Sequence, residues 1–140
     1  MGIAVAMSAA GCGAGSRITK EQYVSRLSAM RRDFAAREKT IGAPQTLADL
    51  RQKEPRILGA FEKAILDKVR KLRAPHEIAA QANRLVELAN RQREVFRELI
   101  VAAQKNDSSR VEALGARNAG LNAEANSIAR DLGALACAGG

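Results

Sequence analysis

The chain of 140 residues has no Trp, one Tyr and three Phe, so aromatic residues make up only 3% of it. Its core must therefore be filled by Ala, Leu, Ile and Val, a mixture that favours closely packed helices over a sheet sandwich. Proline is equally scarce: Pro44, Pro55 and Pro75 are the only three, and the long stretches on either side of them contain no such breaker. With a single histidine, His76, there is no zinc motif and no Glu-x-x-His pair of the kind that builds di-iron bundles. His76 follows Pro75 at the start of a helix, where a solvated side chain is expected. No Gly-x-Ser-x-Gly elbow is present, and no glycine-rich phosphate loop follows a strand. No catalytic residue, metal ligand or cofactor is expected. After Cys12 no apolar run approaches the ~20 residues of a membrane span.

What the chain does have is positive charge, unevenly spread. The formal net charge is +8. Between Arg17 and Arg73 there are 15 Lys or Arg against 7 Asp or Glu, whereas from Ala74 to Gly140 the two signs balance at 8 each. The excess is densest at Lys63, Lys68, Arg70, Lys71 and Arg73. On a regular helix residues 63, 70 and 71 lie near one another, while Val69 and Leu72 face inward. These five residues are the candidate polyanion-binding set, suited to anionic lipid headgroups or an acidic wall polymer at ~1 kcal/mol per basic residue near a charged surface. The plain alternative is a solvated charged face.

Hydrophobic spacing predicts four helices. The first runs from Lys20 to Lys39, opened by a Thr19/Gln22 capping box and stopped by Gly42 and Pro44. Tyr23, Leu27, Met30, Phe34 and Ile41 share one face. The second runs from Leu47 to Leu72 behind Thr46, with Leu58, Phe61, Ile65, Val69 and Leu72 as its stripe and a kink or break at Pro55. The third runs from His76 to Lys105, with Pro75 in its first turn. Its positions 78, 82, 85, 89, 92, 96, 99 and 103 are all apolar except Gln92, which describes a bundle seam. The fourth opens on a Ser109/Glu112 capping box and carries Val111, Leu114, Asn118, Leu121, Ala125, Ile128 and Leu132 to a stop at Gly133. The short Asn106-Asp107-Ser108 link makes the last two helices antiparallel neighbours. The expected fold is all-α, an antiparallel up-down four-helix bundle over residues 19–133 with a kinked second helix. A looser assembly with one helix splayed away is the alternative. Gln92 and Asn118, polar on apolar seams, sit out of level and are not expected to pair.

The first sixteen residues, MGIAVAMSAAGCGAGS, place an uncharged apolar run, then Ala9-Ala10-Gly11, directly before Cys12. This order resembles the lipobox of bacterial lipoproteins, in which cleavage before the cysteine is coupled to acylation of its sulfur. It departs from the usual pattern in having Ala9 where Leu, Val or Ile is preferred, and no Lys or Arg before the apolar run. A start site assigned too far downstream accounts for the missing charges, and an Ala/Gly-rich tail with an incidental cysteine is the rival reading. With Ile18-Thr19-Lys20-Glu21-Gln22-Tyr23, Ala74-Pro75-His76-Glu77, Asn106-Asp107 and Leu132-Gly133-Ala134-Leu135-Ala136-Cys137, the chain resembles a group of small bacterial lipoproteins of unknown function. The resemblance implies a signal peptide over residues 1–11, a lipidated Cys12 with a spacer to residue 18, and a tail over 134–140. Many members carry a cysteine eight residues after the first helix's tyrosine, suited to pair with the C-terminal one. Arg31 stands there in this chain, which leaves Cys137 without that partner.

The reading that follows is a lipid-anchored helical bundle on the extracytoplasmic face of the cell membrane. Its role is binding or structural rather than enzymatic, its protein partner is unknown, and no specific nucleic acid is expected. A cytosolic basic protein associating with nucleic acid is one rival, and a small-ligand carrier using the bundle core is the other.

Overall fold

Three of the four helices start where a side chain satisfies one of their first free amides: Thr19, Thr46 and Asp107. Thr19 Oγ1 accepts from the Gln22 amide at 3.1 Å, and Gln22 Oε1 accepts from the Thr19 amide at 2.9 Å, which opens α1 (Lys20–Ile41) with the expected capping box. Gly42 closes it at φ 83°, donating its amide to Glu38 at 2.8 Å. The left-handed conformation is one that glycine adopts without strain. The helix runs two residues past Lys39. The computed structural model describes residues 17–133, and there the chain is all-helical, folded as a four-helix bundle. The proposed signal peptide, Cys12, the tail over 134–140 and Cys137 lie outside the described residues.

Thr46 caps α2 (Leu47–Phe61) by accepting from the Asp49 amide at 3.1 Å. Pro55 does not break this helix. Arg51, whose carbonyl would otherwise receive an amide from position 55, is exposed, as is Pro55, so water can serve the carbonyl. The irregularity comes later, where Glu62–Leu66 form a π turn in which the Asp67 amide bonds to the Glu62 carbonyl. A last helical turn, Asp67–Val69, follows, and Arg70 and Lys71 are already in a turn, so the helix stops short of Leu72. The extra residue in the π turn changes the buried face. Ile57, Ala60 and Phe61 are buried before it, Ala64 and Leu66 within it and Val69 after it, while Leu58, Ile65 and Leu72 are only half-buried.

Pro75, at φ −63° and ψ 154°, caps a 3₁₀ turn (His76–Ile78) rather than occupying the first turn of a helix, and α3 (Ala79–Gln104) follows. All eight seam positions from Ile78 to Ala103 are buried, Gln92 among them at 8% exposure. Leu88, Val95 and Ala102 form a second buried row, because α3 is the central helix and packs against both α2 and the last helix. That helix, α4 (Ser108–Asp131), is capped by Asp107, whose Oδ1 accepts from the Arg110 amide at 3.0 Å. The Ser109/Glu112 box is not the start, because Asn106 at φ 55° reverses the chain one residue before Asp107. In α4 only Leu114 and Ala129 are buried, and Val111, Leu121, Ala125 and Ile128 are half-buried.

The three phenylalanines join three helices. Phe61 of α2 meets Phe34 of α1 at 5.5 Å and Phe96 of α3 at 5.1 Å, both edge to face. Backbone and side-chain links fix the ends. The Ile18 amide donates to the Arg73 carbonyl at 3.1 Å and Arg17 Nη1 to the Ala74 carbonyl at 2.7 Å, which ties the start of α1 to the α2–α3 link.

Candidate polyanion-binding surface

The imbalance of charge between the two halves of the chain has a structural counterpart. Much of the charge of α3 and α4 is consumed between them: Arg84 Nε bonds Glu124 at 2.7 Å, Arg110 bonds Glu98, and Arg117 Nη1 lies 3.8 Å from the same Glu98. Arg84 also pairs with Glu87 at 2.8 Å, and its hydrogen bonds hold Glu124 and Glu87 below the usual carboxylate range. The basic excess of α1 and α2 has few such partners among the described residues.

The five cationic candidates are all exposed, but they do not form one patch. Arg70 turns toward α3 and donates to Asn90 Oδ1. Arg73 sits in the link, its carbonyl holding the Ile18 amide. Lys63, Lys68 and Lys71 instead line the outer seam between α1 and α2. At one end of that seam Lys68 and Lys71 face Arg26 and Asp33, and at the other Lys63 and Arg56 face Arg37. The two hollows share no lining residue but follow one another along the same α1–α2 seam, hereafter the groove. Its α1 side is Arg26, Ala29, Met30, Asp33, Arg37, Thr40 and Ile41, at steps of three, one or four residues that keep a single helical face. Its α2 side reads Arg56, Lys63, Lys68 and Lys71. The step of five from Lys63 to Lys68 crosses the π turn, whose longer repeat returns both lysines to the same side.

Asp33 is the one carboxylate among the groove-lining residues. It accepts from Arg37 Nε at 3.0 Å and from Lys68 Nζ at 3.3 Å, and the Arg37 hydrogen bond in particular holds it below the usual carboxylate range. Arg26, Arg56, Lys63 and Lys71 have no ion pair among the described residues. Arg26, Arg37 and Arg56 were not identifiable from sequence runs, because they come from two helices and meet only when α1 and α2 pair.

A second concavity lies between α1 and α4. It is a cleft of about 80 Å³ floored by Leu85, Ala89 and Gln92, with Met30 on one wall and Ala125 on the other. Gln92 is thus buried beneath this cleft rather than set at a wet edge. No hydrogen bond joins it to Asn118, whose Oδ1 is buried without a partner. His76 is exposed. Among the described residues no group of three or more His, Cys, Asp or Glu is placed to hold a metal ion, and no helix is long and apolar enough to cross a membrane. No protein-family model, curated protein or solved structure matches the chain.

Proposed function

We propose that the protein is a lipid-anchored, extracytoplasmic helical bundle with a binding or structural role at the cell envelope, attached through Cys12. The observation that carries this reading is the attachment of Arg17 and Ile18 to Ala74 and Arg73. Only four residues, Gly13 to Ser16, separate Cys12 from Arg17. A chain of that length reaches roughly 17 Å when fully extended. An acylated Cys12 would hold the end of the bundle that carries Arg17, Lys20, Arg70, Lys71 and Arg73 against the headgroups. Cations at that end suit an anionic surface, each contributing ~1 kcal/mol when close to it. A lipid chain alone gives marginal, reversible binding, and a basic patch is one of the second signals that make it stable.

The test is metabolic labelling. Expressed in a bacterium behind a basic n-region, the wild-type chain should incorporate labelled fatty acid and sediment with membranes, and Cys12→Ser should abolish the label. An unlabelled wild-type chain in the soluble fraction would overturn both the anchor and the compartment.

A further inference from the structure

We infer that the outer groove between α1 and α2 binds a linear polyphosphodiester that carries no bases, lying along the helix axes. The groove is elongated. From Arg26 to Ile41 its α1 wall covers fifteen residue steps, about 22 Å at ~1.5 Å per residue. Cations are spread along its whole length, Lys71, Lys68 and Arg26 at one end and Arg37, Lys63 and Arg56 at the other. A row of cations with a single interrupting carboxylate is complementary to a chain of regularly spaced monoanions, not to one compact anion. Asp67, exposed on the same stretch of α2, pairs with none of these cations among the described residues.

Two features decide the chemistry of the occupant. Tyr23, Phe34, Phe61 and Phe96 are all buried, so the groove has no ring on which a base could stack, and single-stranded nucleic acid gains much of its affinity from such stacking. The groove begins at Lys71 and Leu72, near the end that holds Arg17 and Ile18, but runs from there along the side of the hairpin to Arg56, so a flat surface at that end would not fill it. A flexible acidic polymer of the envelope would. The choice of that polymer rests on the location proposed above, whereas the groove itself does not.

The full chain carrying Cys12→Ser, which removes acylation as a variable, is titrated with poly(glycerol phosphate). Four unpaired cations predict a slope of log affinity against log salt of about −3, at ~0.7 per phosphate neutralised on a flexible single strand. Reversing Arg56, Lys63 and Lys71 to Glu should weaken binding at least about tenfold at low salt. The same change of charge at Arg91, Arg93 and Arg97 should cost much less. Asp33→Asn should strengthen binding about threefold, because it removes the carboxylate and frees Arg37 and Lys68. That gain cannot arise from unfolding. Equal losses in the two triple reversals, or no binding of the polymer, would overturn the groove. Oligo-deoxythymidylate binding more than tenfold tighter per phosphate would assign it to nucleic acid. Binding to vesicles of three parts phosphatidylcholine to one of phosphatidylglycerol, with none to the polymer, would assign it to a membrane surface. Either result defeats the polymer proposal while leaving the Cys12 labelling result intact.

Discussion

Phe61 stands edge-on to Phe96, with ring centroids 5.1 Å apart and ring planes at 65°. Phe34 closes on the other side of Phe61, so one side chain of α2 is the shared packing partner of α1 and α3. Phe61→Ala should therefore cost ~3–5 kcal/mol, the range for a buried aromatic truncated in a core that cannot collapse around it. Leu121→Ala, on half-exposed α4, should cost about 1 kcal/mol. Leu85→Ala, at 9% exposure, should fall between them. Chemical denaturation of the three variants checks the order, and equal costs would contradict the picture of a peripheral α4.

Glu54 is 4% exposed, and burial, with the nearby charge of Glu38, pushes its carboxyl up to about 7. In the unfolded chain it titrates near the ordinary carboxylate value of 4.5. Between these two values the unfolded chain has released a proton that the folded chain still holds. Stability should therefore fall as pH rises from about 4.5 through about 7, then level off. Glu54→Gln should remove that slope, gaining roughly 2–3 kcal/mol at pH 8 and little at pH 4. Denaturation at the two pH values tests it; equal gains at both would place the effect elsewhere.

Tyr23 is 1% exposed and its hydroxyl has no hydrogen-bond partner; burial pushes its pKa up to about 12. Tyr23→Phe removes the unpaired hydroxyl and keeps the ring, and should raise stability by about 1 kcal/mol. Because the chain has one Tyr, an alkaline absorbance titration reports on it alone. Tyrosinate should form only above the ordinary value near 10, with the fold weakening in parallel. Ionisation at 10 in the folded protein would show that water reaches the hydroxyl.

The part of this fold that sequence reveals is the part governed by regular repeats and local capping. The eight-position seam of α3, the Thr19/Gln22 box, Thr46, and the glycine stops at Gly42 and Gly133 all depend on neighbours within one or two turns. The departures have nonlocal causes. Ser109 and Asp107 are both competent caps, and the positive φ at Asn106 decides between them. Pro55 marks α2 as the irregular helix, yet its ring lies on the exposed side and the helix passes through it. The irregularity falls instead at Glu62–Leu66, where no residue is a helix breaker. The grouping of the candidate cations has the same kind of cause. Residues 63, 70 and 71 are neighbours on a regular helix, and the π turn separates them, sending Arg70 to Asn90 and Lys63 and Lys71 to the groove. The burial of Glu54 had no sequence signal, since it sits among Lys53, Pro55 and Arg56.

A π turn amounts to an α-helix with one residue too many. The surplus at Glu62–Leu66 rotates everything after it by about 100°, one residue's share of a turn. Lys68 and Lys71 reach the groove, and Val69 the core, because of that rotation. Excising one residue would restore a regular helix and swing both sets off their faces together. The basic surface and the hydrophobic interior are thus set by the length of a five-residue segment as much as by what it contains. Other residues could stand at Glu62, Lys63 and Ile65 and leave the rotation intact; a segment of four could not.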